Sequence, residues 1–383
     1  MNDTNTLMMK NRIEILKTYL YGLVVFFNVI FRSTFNVRGL ALRINVFLIA
    51  CMMILSLLFD NHNLRDWLWL VCGLLITVGI YIHTHQYEYF LVILLIFSLI
   101  QTSPKKLFKV TLYSIIIALL IVICASLFNI IPNLVFYRNG IRRYALGTDY
   151  PLAVSSFIFM ICSIITILVL NSKKNPIIFI ILFIITAFIL DNLTNSRNDE
   201  FFILILAVIL CMKKVSIKFW KAIVNIFLFA FPIIVIFSIF ITNFIPYTSN
   251  EYAFFNELFS GRLSLQAGLI NNYSVSLFGN NIPQIGLGAQ TQNINNYFYI
   301  DNSYTRWLFM GGILFFIFLV GYMNYTVFKL NKIGLSQISM VLIIIEANSL
   351  VADTLSVFST CIMLPFFFID IYRYKNDWIT GKF

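Results

Sequence analysis

Apolar residues in this chain do not alternate with polar ones; they come in unbroken runs, of which Val110 to Ile131 and Ala222 to Phe240 are two. About 20 apolar residues in a helix match the hydrocarbon thickness of a bilayer. Because the runs are continuous, they predict helices and not the in–out strands of a membrane barrel. Read this way, the sequence predicts spans near residues 18–31, 44–59, 67–82, 87–101, 110–131, 151–170, 177–191, 200–212, 220–244, 304–328, 338–353 and 357–372. The first reads either as a span or as an interfacial helix, because Arg32, Arg38 and Arg43 follow it closely. Such runs recur throughout residues 1–383, which predicts one all-α, polytopic integral membrane domain of about twelve transmembrane helices. Only residues 245–303 break the pattern. That segment is rich in Gly and Asn yet keeps Phe, Tyr and Leu, so it is expected to be one large external loop, ordered and packed over the helices.

Composition agrees: 60% of residues are hydrophobic and 11% charged, where a soluble domain has about 25% charged. A water-soluble fold is excluded, and no soluble domain stands beside the membrane part. The net charge of +11 reads as the bias of cytoplasmic loops toward Lys and Arg. Its residues lie in short loops and form no stripe, which argues against nucleic-acid binding. Six cysteines lack any CxxC spacing, and His62, His83 and His85 form no ligand set, so no metal and no cofactor are expected. The first apolar stretch lacks a small-residue cleavage site, so no removed leader is expected.

Lys and Arg divide between loops. Lys105, Lys106 and Lys109 make one basic loop, Lys173 and Lys174 the next, then Lys213, Lys214, Lys218 and Lys221, then Lys329 and Lys332, and the tail holds Arg373, Lys375 and Lys382. These alternate with loops almost free of Lys, which puts both termini on the cytoplasmic side. The opposite loops carry Arg without Lys: Arg138, Arg142 and Arg143, then Arg197, then Arg262. The stretch with Arg32, Arg38 and Arg43 also falls outside, against the orientation rule. Arginine on a translocated face needs another reason, and its planar fork suits carboxylate and phosphate oxygens.

Five segments could carry chemistry. In "YRNGIRRYALGTDYPLAVSSF", Arg142 and Arg143 precede a helix opened by Pro151, which reads either as charge decoration of a helix start or as an anion pocket. In "NLTNSRNDEFF", Arg197 either snorkels to lipid phosphates, pairs with Asp199 and Glu200, or binds a ligand. In "SGRLSLQAGLINNYSVSLFGNN", Gly261 frees the chain to turn and Arg262 opens an amphipathic helix that "LFGNN" breaks. In "YIDNSYTRWLFMGGILFF", Asp301 is either an N-cap or a catalytic carboxylate. Arg306, about one turn into that helix, is expected to face a polar cavity, because a guanidinium in lipid is costly. Glu346, deep in "IIIEANSLVADTLSVF", is either functional or the structural partner of a buried arginine.

In this order, the segments from Arg143 to Glu346 resemble the Wzy-type polysaccharide polymerases, within the wider O-antigen polymerase and ligase superfamily. "RRYALGTDYP" resembles the family's Arg, Gly and helix-initiating Pro; "TNSRNDEFF" its SR motif; "SGRLSLQAGLI" with "LFGNN" its GR and LFG stretch; "IDNSYTRWLFMGG" the end of its large loop. Ligases typically carry His-Asn there, and Asp301 stands at the His position, which favours a polymerase.

The resemblance implies a metal-independent glycosyltransferase in the bacterial cytoplasmic membrane, joining undecaprenyl-pyrophosphate-linked oligosaccharide repeat units on the outer face for capsule, exopolysaccharide or O-antigen. Its partners would be lipid-linked donor and acceptor together with membrane lipids, and the resemblance would allow a chain-length regulator. Arg143, Arg197, Arg262 and Arg306 would bind the pyrophosphate, where charge grows as it leaves. Asp301 is the first candidate for the base that takes the acceptor's hydroxyl proton, and Glu346 the second. An O-antigen-type ligase and a transporter or flippase for lipid-linked sugars are the competing readings.

Overall fold

The computed structural model describes residues 3–138, 140–246, 248–258, 261–285, 298–356, 358 and 360–370. Within them the chain is helical apart from one hairpin, β1 (Val135–Arg138) with β2 (Ile141–Tyr144). The helices are α1 (Asp3–Phe31), α2 (Arg38–Phe59), α3 (Leu64–Thr84), α4 (Glu88–Leu99), α5 (Pro104–Leu127), α6 (Pro151–Leu170), α7 (Ile177–Thr194), α8 (Arg197–Cys211) and α9 (Ile217–Phe244). They continue with α10 (Asn250–Leu258), α11 (Arg262–Asn272), α12 (Ser303–Arg306), α13 (Gly312–Lys332) and α14 (Ser336–Asn348). α12 and α13 join through a π-helical turn, Trp307–Gly311, into one 30-residue helix. Eight of these helices are long and apolar enough to cross a membrane. This is therefore an all-α protein of membrane-embedded character.

Local chemistry sets the boundaries. Asn63 and Asp66 form a reciprocal capping box at α3, Pro151 sits at the first turn of α6 where its missing N–H is harmless, and the Ser216 hydroxyl caps α9. Inside the helices, hydroxyls return to backbone carbonyls one turn back, as from Thr111 to Leu107 (2.7 Å) and from Thr166 to Cys162 (2.8 Å). Each of these hydroxyl hydrogens is thereby satisfied within its own helix. α1 packs against α2 and α5, α7 against α8, and α14 against α6, α8, α9 and α13. One apolar core runs through the bundle.

The first helix, expected over 18–31, begins already at Asp3, and the last two spans differ in kind from the sequence reading. The helix expected over 338–353 ends at Asn348, and the chain then turns, returning a hydrogen bond from the Ser303 amide to the Ser349 carbonyl (3.0 Å). The helix expected over 357–372 is a short 3-10 turn, Cys361–Phe367, in its described part, because Pro365 removes a donor an α-helix would need. It is still buried among the helices: Tyr21 donates to the Ile362 carbonyl (2.6 Å), and the Asp370 amide reaches the Ile100 carbonyl (2.9 Å).

The helix ends segregate the basic residues. At one end Lys106 reaches Asn11 (2.8 Å), Lys213 reaches carbonyls around the close of α6, and Gln337 reaches the Lys213 carbonyl (2.8 Å). At the other, the Thr34 amide bonds the Gly147 carbonyl (2.8 Å), the Asp149 amide bonds the Arg32 carbonyl (2.9 Å), and Arg143 bonds the Thr194 carbonyl (2.7 Å).

Candidate functional site

The π-turn at Trp307–Gly311 leaves backbone groups without helical partners, and the segment after α11 supplies them. The Asn280 amide and side chain both donate to the Phe309 carbonyl (2.9 and 3.1 Å), and the Ile313 amide donates to the Ser276 carbonyl (3.0 Å). Irregular backbone at this depth is tolerated because protein, not lipid, surrounds it. Gly279 and Gly312 carry positive φ (78° and 86°) and touch backbone to backbone. A Cβ on Gly279 would lie 1.9 Å from the Met310 carbonyl oxygen. The "LFGNN" stretch thus pins the loop into the helix break and fixes where Tyr299 to Arg306 stand.

Near this break lies a cleft of about 700 Å³, its open mouth included, whose walls carry Arg32, Tyr150, Asp199, Arg262, Asp301 and Asp353. α11 opens at Arg262 after Gly261 turns with φ 83°, and Arg262 Nε donates to Asp301 Oδ2 at 2.8 Å. Asn302, not Asp301, caps the next helix, accepting from the Tyr304 and Thr305 amides. Asp301 is thereby left to face the cleft. Burial pushes its carboxyl above the usual range, and Arg262 pulls it back down. Arg306 Nη1 lies 3.8 Å from Asp353 Oδ2, and its guanidinium stands 5.3 Å from the Tyr299 ring centre. The Tyr299 hydroxyl donates to Asp353. Arg32, buried, sits 3.3 Å from Asp149, whose carboxyl burial also raises against the pull of Arg32 and Arg38.

A second, mostly apolar groove of about 1020 Å³ adjoins the cleft and shares Arg262, Tyr299, Asp301 and Val351 with it. Ile234, Phe237 and Ile241 of α9 and Leu265 and Leu269 of α11 line it. Charged groups at one end and hydrocarbon along its length make the pair of spaces fit an amphiphile with an anionic or sugar-bearing head.

The sequence-derived candidates separate here. Arg262 and Asp301 line both spaces; Arg306, expected to face a polar cavity, lines neither and stands behind them against Tyr299 and Asp353. Arg143 is buried on the hairpin, its Nη1 3.5 Å from the Tyr150 hydroxyl. Arg197 is exposed at the start of α8. Asp199 does not pair with it: that carboxylate turns inward, accepting from Ser155 and from Asn348 (2.9 Å). Glu346 lines neither space, and its Oε1 finds no hydrogen-bond partner among the described residues. Arg32, Tyr299 and Asp353 are wall residues that the sequence reading left unassigned. A signal for Arg32 exists: it belongs to the basic stretch that violates the orientation rule.

No family model, curated protein or solved structure matches the chain.

Proposed function

We propose that this chain is a polysaccharide polymerase of the Wzy type, joining lipid-linked oligosaccharide repeat units at the outer face of a bacterial cytoplasmic membrane. The observation that carries the reading is the sharing of Arg262 and Asp301 between a charged cleft and an apolar groove. A polyprenyl tail suits the groove, and a diphosphate with its sugars suits the charged side.

Under this reading the arginine-bearing end faces outward and the lysine-bearing end faces the cytoplasm, where both termini lie. The crossings number twelve when α4, α8, α14 and the segment 361–370 are counted with the eight long helices. α4, with 12 residues, rises only about 18 Å at 1.5 Å per residue, so it crosses shielded by its neighbours and not alone in lipid. The described parts of residues 245–303 then belong to the large outer loop expected from the sequence.

In the reaction, an acceptor sugar hydroxyl attacks the anomeric carbon of the donor glycan. The new C–O bond forms as the bond to the diphosphate breaks, and the hydroxyl proton passes to Asp301. Arginines meet the charge growing on the leaving diphosphate, a stabilisation larger in the transition state than in the ground state. Burial keeps Asp301 a stronger base than an exposed carboxylate, while Arg262 holds its orientation. Glu346, the second candidate for that proton, lies away from both spaces. Both substrates are held in one plane by their lipid tails, which reduces the search for alignment.

The deciding experiment is reconstitution of the purified protein with lipid-linked repeat units. A polymerase yields a ladder of new glycosidic bonds and released diphosphate lipid. A ligase joins preformed polymer only to a different acceptor, and a flippase moves the units without making a bond; either result removes the proposal.

A further inference from the structure

Cleft and groove share Arg262, Tyr299 and Asp301, whereas Arg32, Tyr150, Ser156, Asp199 and Asp353 line the cleft alone. This second set forms the part of the cleft that the groove does not reach. Two of its charged groups have hydrogen-bonding capacity left over, and they are of opposite sign.

The first is Asp199, 2% exposed in the opening turn of α8. Two residues along a helix turn the chain by about 200°, so an Arg197 that faces outward places Asp199 inward. Its neighbours Asp149, Asp301 and Asp353 each have an arginine within ion-pair distance: Arg32 at 3.3 Å, Arg262 at 2.8 Å and Arg306 at 3.8 Å. Asp199 has no cation that close among the described residues. Arg262 acts on it from farther away, with its Nε bonded to Asp301. What holds Asp199 is neutral: Oδ2 accepts from the Ser155 hydroxyl of α6, and Oδ1 from the Asn348 amide of α14 at 2.9 Å. Each carboxylate oxygen has a second lone pair, so Asp199 keeps acceptor capacity for a ligand.

The second is Arg32, 7% exposed just beyond α1. Its Nε lies 3.3 Å from Asp149 Oδ2, yet neither Nε nor Nη1 makes a hydrogen bond among the described residues. Tyr299 and Asp353 stand near the same guanidinium. A buried N–H left open is costly, and an acceptor arriving there would relieve it. Between these charges Tyr150 adds an aromatic wall, fixed by the edge of Phe136 (4.9 Å between ring centres) and by the Arg143 guanidinium (5.6 Å).

We propose that Asp199 and Arg32 form a subsite for a neutral sugar, which selects uncharged over acidic residues in the repeat unit. The inference rests on the function proposed above and names the class of sugar the cleft takes. A sugar hydroxyl donates and accepts at once, so vicinal hydroxyls can give a proton to Asp199 and take one from Arg32. A carboxylate on the sugar would suit Arg32 but would stand among Asp199, Asp301 and Asp353. An ammonium would suit Asp199 but would meet Arg32 and Arg262. Only an uncharged, hydroxyl-bearing ring satisfies both signs without leaving one repelled, and rejection of the charged forms is as much a part of specificity as the contacts to the right one.

The test is saturation-transfer NMR on the purified full-length chain in detergent, which reads weak binding from the sugar's own protons. The probes are methyl glycosides in matched pairs: glucoside with glucuronide, galactoside with galacturonide, and N-acetylglucosaminide with glucosaminide. At least one neutral member is expected to bind about tenfold more tightly than its charged partner, the worth of one charge-assisted contact. Asp199→Asn is expected to weaken that neutral probe about tenfold and to narrow the gap to the uronide. A uronide or a glucosaminide that binds as tightly as its neutral partner overturns the subsite, and so does a chain that binds no neutral probe. Neutral binding unaltered in a folded Asp199→Asn overturns it as well; should that variant not fold, the matched pairs on the wild-type chain still decide. Neutral-sugar binding by a protein that forms no glycosidic bond on reconstitution would leave the subsite standing and remove the polymerase. Bond formation by a chain that prefers the uronide would do the reverse.

Discussion

The two ends of the bundle hold their positive charge in different ways. At the lysine end, Lys213 donates to three carbonyls around the close of α6, those of Val169 (2.7 Å), Ser172 (2.6 Å) and Lys174 (3.0 Å). Lys329 lies over the Tyr325 ring at 4.3 Å, and Lys17, fully buried, meets Asp60 and the Ser98 carbonyl (3.2 Å). These ammonium groups satisfy helix C-termini and neighbours, a task any cation of the right reach can do. At the arginine end the guanidinium groups face carboxylates, phenol rings and open space, where the direction of each N–H matters. One end uses charge as fastening, the other as geometry. A substitution that keeps charge should therefore be tolerated at the first and damaging at the second.

The sharpest break of this contrast is at Arg262. Arg262→Ala removes the partner of Asp301 and a wall of both cleft and groove. Polymer synthesis should fall about a hundredfold, the usual cost of losing one preorganised donor at a charged transition state. Arg262→Lys should fall nearly as far, since an ammonium cannot present the same Nε–H direction. Polymer ladders from cells, with protein level checked by immunoblot, measure both. A ladder of wild-type length from Arg262→Ala would mean that the cleft is not the reaction site.

Gly279→Ala probes what positions the arginine end. The new Cβ would strike the Met310 carbonyl and would also hold a positive φ that only glycine takes without strain. The LFGNN segment should then leave the helix break, exposing the Phe309 carbonyl and the Ile313 amide it now satisfies. A loss of about 2–4 kcal/mol is expected, seen as a lower thermal midpoint in detergent and new protease cleavage between α11 and α12. Unaltered melting and cleavage would show that the segment rests on the bundle without being built into it.

The sequence makes the helices of this molecule easy to read and its site hard, for one physical reason. A span announces itself through some twenty neighbouring side chains, so the run over 151–170 foretells α6 to the residue, while that over 110–131 finds α5 but misplaces its ends. A cleft is assembled from single residues that lie far apart in the chain. Arg262 and Asp301 are legible because each stands at a break in the apolar pattern. Arg32 stands at a break too, but in sequence it reads as a fault in orientation; only its approach to Asp149 shows its role in the cleft wall. Asp353 falls within a run that looks helical, and its place depends on α14 ending early at Asn348. The hairpin is invisible for another cause: strands of four residues, VFYR and IRRY, carry too little periodicity to be told from a loop.

The mildest prediction concerns Lys213, and it sharpens the contrast from the other side. Lys213→Ala removes three bonds to carbonyls near the end of α6, but water or lipid headgroups at that surface can take their place. The expected cost is about 1 kcal/mol of stability, read as a small drop in thermal midpoint, with polymer length per folded molecule unaltered. Lys213→Arg should recover most of the loss, because the task asks for a long cation and not for one particular fork. A shortened ladder from Lys213→Ala at normal protein level would mean that the two ends are coupled. The distinction between fastening charge and working charge would then fail where it is easiest to test.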